Sequence, residues 1–241
     1  MSTLITVFDT ETDGLNRHTN HVVQLASVSY LAGSPAYAWT FEALANPGRP
    51  INPEVSAIHG IYDVDVQDKP PPGEVVQQWW AEITLLAREL NADMVLVAHN
   101  IGFDVPMTRK YFAHEWPEVP QLCTLKLART LYPDAPNHKL TTLVRDYHKL
   151  DDELHKDAHN AVADVWMAAL LLEHYQKVTG KSVLELAEEG KKFQLLRTMP
   201  FGKHKGTDFS KLPVSYLRWL TAAMEPGSDI YRTALYYLGN A

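Results

Sequence analysis

Apolar and polar positions change their period several times along the chain, and each change marks an element. Leu4, Ile5, Val7 and Phe8 are β-forming residues running into Asp9-Thr10-Glu11-Thr12-Asp13-Gly14, so the pattern predicts a buried first strand ending near Gly14. Val22–Leu31 and Tyr37–Ala45 read as two further strands, and the turn residues Gly33-Ser34-Pro35 between them suggest an antiparallel meander. Asn52 as N-cap, Pro53 at the first position and Gly60 as a stop enclose a short helix over 53–58. Pro70-Pro71-Pro72-Gly73 reads as a loop. Val75, Val76, Trp79, Trp80, Ile83, Leu86, Ala87 and Leu90 recur at helical spacing, which predicts a long amphipathic helix over 74–90 with its tryptophans in the core. The short apolar run Met94–Ala98 suits a central buried strand, with a helix following for which Asn100 is the candidate N-cap. A strand over 121–124 and helices over 125–131, 140–147 and 160–177 complete the pattern. Strands first, then alternating strands and helices, predict an α/β domain with a mixed central β-sheet flanked by helices.

Composition narrows this picture. The chain has 241 residues and 46% hydrophobic content, enough for one large domain or a medium domain with an appendage. No apolar run approaches the ~18 residues of a membrane helix, and Met1-Ser2-Thr3 has no basic leader, so neither membrane nor export is expected. The single cysteine, Cys123, lies in an apolar stretch as a small core residue, which suits a reducing, cytoplasmic location. A net charge of −7 argues against binding nucleic acid by overall attraction. Its distribution is uneven: residues 1–194 hold 16 Lys+Arg against 26 Asp+Glu, and residues 195–241 hold 6 against 3.

Three stretches carry candidate chemistry. On a strand, residues two apart share a face, so Asp9 and Glu11 point the same way and Thr10 points oppositely. Two neighbouring carboxylates repel, and either a divalent cation or full solvation at a strand edge would relieve them. The segment Ala98-His99-Asn100-Ile101-Gly102-Phe103-Asp104 delivers a third acid just past a strand end, where open α/β sheets gather their sites. His159 and Asp164 are separated by ~140° of net helical rotation. His159 is therefore expected before the last long helix and Asp164 in its first turns, where it either joins the site or complements the helix N-terminus. His155 and His159 have a zinc-like spacing, but no cysteine or third partner accompanies them.

Asp9-x-Glu11-Thr12-x-Gly14-Leu15, His99-Asn100-x-x-Phe103-Asp104 and His159-x-Ala161-x-x-Asp164, in that order, resemble the three motifs of the DEDDh exonuclease superfamily. The resemblance implies a ribonuclease-H-like fold over residues 1–180, followed by a linker helix over 181–194 and a small basic C-terminal module over 195–241. It implies 3′-to-5′ removal of nucleotides, with Asp9, Glu11, Asp104 and Asp164 holding two Mg²⁺ (or Mn²⁺) ions and His159 as general base. Ala57-Ile58-His59-Gly60-Ile61, Cys123-Thr124-x-Lys126-Leu127-Ala128-Arg129, Phe201-Gly202-Lys203-His204-Lys205-Gly206 and Tyr216-Leu217-Arg218-Trp219-Leu220 are similar to stretches of an exodeoxyribonuclease branch of that superfamily. The implied partners are DNA with a free 3′ end, single-stranded or duplex, and repair or replication proteins. An exoribonuclease, or a silent nucleic-acid-binding or polymerase accessory module, are the competing readings; five filled catalytic positions argue against silence.

Substrate contacts follow from the same motifs. Thr10, Thr12, Gly14 and Asn100 flank the carboxylates, and the resemblance implies that His59 meets the terminal nucleotide. Leu15 and Asn16 either wedge against a terminal base pair or cap the core. Phe103 either stacks on a base or packs inside. Lys203 and Lys205 either contact phosphate or are merely solvated.

Overall fold

The computed structural model describes residues 2–34, 39–112, 116, 118–148, 160–224, 226 and 228–239. The predicted start of the third strand at Tyr37, and both His155 and His159, lie outside the described residues. The chain divides into two compact units, Met1–Gly190 and Lys191–Ala241.

In the first unit, strands β1 (Ser2–Thr12), β2 (Val22–Leu31) and β3 (Trp39–Leu44) are followed by helices α1 (Pro53–His59), α2 (Asp63–Val66) and α3 (Pro72–Glu89). Then come β4 (Ala92–Ala98), α4 (Ile101–Arg109), β5 (Gln121–Cys123), α5 (Thr124–Leu131), α6 (Leu140–His148), α7 (Ala161–Thr179) and α8 (Val183–Gly190). The five strands form one mixed sheet in the order β3-β2-β1-β4-β5. The β1–β2 and β2–β3 pairs are antiparallel, the meander that the sequence pattern predicts, and the β1–β4 and β4–β5 pairs are parallel, which makes the sheet mixed.

The strand period of two sorts β1 between two cores. Ile5 and Val7 join Val28, Val95 and Val97 against Leu127 of α5, Leu143 of α6 and Met167 and Leu171 of α7. Phe8 faces the other way, with Leu25 and Leu96 against Trp79 and Ile83 of α3 and Val105 of α4. Trp79 is fully buried with its ring 5.0 Å from Phe8, and its indole Nε1 donates to Ser27 Oγ at 2.9 Å, so its one polar atom is satisfied within the core.

Some elements differ from the expectation. Pro72 and Gly73 are not loop: they begin α3, because the missing proline N–H costs nothing in a first helical turn. The strand expected over 121–124 ends at Cys123, and Thr124 already begins α5. Cys123 is half-buried at that junction rather than enclosed. The four-residue α2 is too short to show a helical period; it is held by Tyr62 N–H donating to the Asp65 carboxylate at 2.8 Å. Within the segment expected as a linker, α8 buries Val183, Leu186 and Ala187 in the first core.

The second unit contains α9 (Val214–Ala223) and α10 (Asp229–Gly239) after two short 3₁₀ turns, Gly202–His204 and Phe209–Lys211. Its own core comprises Leu196, Met199, Phe209, Leu212, Leu217, Leu220 and Ala234. Among the described residues no helix is long and apolar enough to cross a membrane.

Candidate active site

Beyond Val7, the odd positions of β1 turn from apolar to acidic while keeping the same face. Asp9 and Glu11 thus extend the row begun by Ile5 and Val7, and α7, which packs on that face, brings Asp164 over them. One carboxylate oxygen from each of Asp9, Glu11 and Asp164 lies within 4.8 Å of the others. Thr10, on the opposite face, donates both its backbone N–H (3.2 Å) and its hydroxyl (2.8 Å) to one oxygen of Asp104 in the first turn of α4. The four acids therefore approach β1 from both sides, three of them as one cluster and Asp104 fixed beside it.

Burial and like charge both act on this cluster. Burial, followed by the charges of Asp104, Asp164 and Glu11, pushes the Asp9 carboxyl well above its ordinary range. Burial and the charges of Asp164 and Asp104 push Glu11 up to about 8. Burial also raises Asp104 to about 7, with Asp164 adding to the rise, although both Thr10 hydrogen bonds oppose it. The charges acting on Asp9 are all carboxylates, so this is a donor set that a cation would stabilise. Oxygen-only ligands at this spacing suit a hard divalent ion.

The N-terminus of α7 is held by two acceptors. Asn160 Oδ1 accepts from Val162 N–H at 3.0 Å, and Gln24 Oε1 accepts from Ala161 N–H at 3.2 Å. Gln24 is the β2 partner of Glu11, so this bond ties the helix bearing Asp164 to the strand pair bearing Glu11. Sequence reasoning missed Gln24; its signal was a single amide inside the otherwise apolar or small run of β2.

A second overlooked group fixes the turn after β1. Asp13 is buried, and its carboxylate accepts from Arg49 Nε and His21 N–H, each at 2.6 Å. Burial alone would raise its pKa, but the Arg49 and His21 hydrogen bonds hold it below the ordinary value. Lys110 Nζ donates to the Asn20 carbonyl, and Asn20 Oδ1 accepts from Asn16 N–H at 3.0 Å. A Cβ on Gly14 would sit 2.7 Å from the Asn20 amide nitrogen, so only glycine lets this crossing form. Thr12 braces the same turn, its hydroxyl donating to the Gly14 carbonyl at 2.8 Å. The result is a braced loop on which Leu15 is 86% exposed and Asn16 is also exposed.

The other predicted contacts are placed as follows. His59 is buried at the end of α1, its Nδ1 accepting from Ile61 N–H at 3.0 Å. Asn100 occupies the α4 N-cap position in a left-handed conformation (φ 80°), without a capping bond from its side chain. Phe103 is half-buried against the core that contains Trp79. Lys203 and Lys205 are exposed in the second unit.

A family model described as Exonuclease (RNase_T) matches residues 6–172, and a second, named for a quorum-sensing-regulated virulence factor, matches residues 192–231. Exodeoxyribonuclease 10 of Escherichia coli (strain K12) is 29% identical over 243 residues, spanning 98% of this chain and 100% of that protein. DNA polymerase III PolC-type of Bacillus subtilis (strain 168) is 34% identical over 187 residues, 76% of this chain but 12% of the polymerase. Exonuclease X in complex with 5′ overhanging duplex DNA superposes with a TM-score of 0.57 at 27% identity, covering 77% of this chain and 99% of that one. The fold is shared with E. coli exonuclease I in complex with a dA16 oligonucleotide, at a TM-score of 0.57 and 16% identity over 78% of this chain and 42% of that one. By its matched span, its mixed sheet and its ordered motifs, the chain belongs to the RNase_T exonuclease family, within the DEDD superfamily of 3′-to-5′ exonucleases.

Proposed function

We propose that this chain is a metal-dependent 3′-to-5′ exodeoxyribonuclease acting on single-stranded and duplex DNA. The observation that carries the proposal is the approach of Asp9, Glu11 and Asp164 oxygens within 4.8 Å, with Asp104 held against Thr10 alongside. In this reading the four carboxylates hold two Mg²⁺ (or Mn²⁺) ions. Such ions supply Lewis-acid stabilisation of the charge that develops on the phosphoryl, attacking and leaving oxygens. His159, immediately before the α7 N-cap in sequence, takes the proton from the attacking water at a ring nitrogen.

Leu15, on its braced loop, is the wedge that opens a terminal base pair, and Asn16 flanks it. Thr10 holds Asp104 in place, while Thr12 and Gly14 hold the loop. DNA rather than RNA is supported by the exodeoxyribonuclease and exonuclease X relatives, which this chain covers at 100% and 99% of their lengths. The first unit is the catalytic domain in this proposal, and the second adds phosphate contacts through Lys203 and Lys205. A time course on labelled single-stranded DNA, duplex DNA and RNA, with Mg²⁺ or with chelator, tests it. Both DNAs should shorten only with Mg²⁺; faster digestion of RNA, or digestion in chelator, would overturn the proposal.

A further inference from the structure

The second unit holds a cleft of about 450 Å³ whose lining includes Phe201, Lys203, His204, Pro213, Tyr216 and Trp219, with no acidic residue. Gly202, at φ 70°, turns the chain from Phe201 into the first 3₁₀ turn, and a Cβ there would touch the Tyr216 hydroxyl at 3.5 Å. Tyr216 and Trp219, three apart on α9, share a face, and their rings stack at 5.2 Å with 23° between planes. His204 meets the Tyr216 ring edge-on at 4.4 Å, and Lys203 Nζ lies 5.3 Å from its centroid. Tyr216 is thus surrounded, whereas Phe201 and Trp219 remain 40% and 49% exposed. Leu217 and Leu220 already supply the buried face of α9, so the core does not require Trp219 to be aromatic.

We propose that this cleft receives an unpaired nucleobase of a nucleic-acid strand, stacked on Trp219 beside Phe201, with Lys203 and Lys205 attracting the adjoining phosphates. The inference rests on the reading of the chain as acting on nucleic acid and adds a strand-holding site outside the acidic cluster. Open aromatic faces next to cations are the chemistry that single strands select, because every base has a stacking face and every linkage a charge. Charge distribution favours the same ligand: residues 191–241 carry 8 Lys+Arg against 3 Asp+Glu, whereas residues 1–190 carry 14 against 26. A proline-rich peptide also fits aromatic grooves, but its recognition does not call for this local excess of positive charge.

The test is fluorescence anisotropy with the full chain in EDTA, where hydrolysis is silent. The probes are a labelled short oligothymidylate and an abasic oligomer with the same number of phosphates. Trp219→Ala should weaken oligothymidylate binding about tenfold and leave the abasic oligomer unaffected, while Trp219→Phe retains most of the affinity. Lys203→Ala should weaken both probes and lower the salt dependence by about one phosphate contact. Equal binding of oligothymidylate by wild type and Trp219→Ala would overturn the assignment, as would displacement of the strand by a proline-rich peptide. Mg²⁺-dependent hydrolysis is measured in parallel: normal hydrolysis alongside that negative result removes the cleft alone, whereas loss of both binding and hydrolysis in the wild type removes the nuclease reading too.

Discussion

A carboxylate whose neighbours are carboxylates does more for a ligand than for the fold. Asp9, Glu11 and Asp104 all have raised pKa values, so without a cation the folded protein retains protons near neutrality that the unfolded chain has released. The stability contribution of Glu11 and Asp104 is complete below their unfolded values and is lost as pH rises through about 7 to 8 in the fold, and the raised Asp9 carboxyl acts in the same direction. The metal-free protein should therefore melt lower at pH 8 than at pH 5, and Glu11→Gln should flatten that difference. Mg²⁺ should raise the melting temperature more at pH 8; a Mg²⁺ effect independent of pH would contradict the cluster's assignment as a cation site. Asp9→Ala removes one repelling charge and one ligand, so it should leave the fold intact while hydrolysis falls by more than about 10²-fold, since even outer-shell partners of metal ligands are worth 10 to 100-fold. Much of this was legible in the sequence, because strand alternation places Asp9 and Glu11 on one face whatever the rest of the chain does. The pair of hydrogen bonds from Thr10 to Asp104 was not, since it spans 94 residues and depends on how α4 docks at the end of β4.

Elements set the geometry that these residues need. β1 supplies two acids because it is a central strand with a helix layer on each face, and α7 supplies Asp164 because Gln24 and Asn160 fix where its first turn begins. Gln24→Leu keeps the volume and removes the bond to Ala161 N–H together with the one from Gln24 Nε2 to the Glu42 carboxylate. It should cost about 1 to 3 kcal/mol of stability and lower the rate of hydrolysis without weakening DNA binding in chelator. The loop after β1 depends on Asp13, so Asp13→Ala should cost about 1 to 3 kcal/mol by leaving His21 N–H and Arg49 without their acceptor. Leu15→Ala should slow digestion of blunt duplex more than of single strands, and equal slowing of both would remove the wedge. Element positions were readable from period and punctuation, as at Asn52 and Gly60, where the cap accepts from Glu54 N–H and the stop has φ 74°. The Pro70–Gly73 stretch misled because proline signals both a loop and a first helical turn, and only the residues that follow decide between them.

At the scale of the whole molecule, the two units have cores with no residue in common, and they carry opposite charge balances. The change of sign was visible in the sequence, but the end of the first unit was not: α8 looked like a linker because only its packing shows that Val183 and Leu186 are buried. A chain ending at Gly190 should keep Mg²⁺-dependent hydrolysis and bind DNA more weakly, with a shallower dependence on salt. Unchanged affinity across salt concentrations would show that the basic unit takes no part in holding DNA. The central claim concerns the first unit, and the most direct measurement is digestion of 5′-labelled single-stranded DNA by wild type and by folded Asp164→Ala in Mg²⁺. A ladder shortening stepwise from the 3′ end for the wild type, with none for the variant, is the predicted result. Full activity in Asp164→Ala would contradict the account.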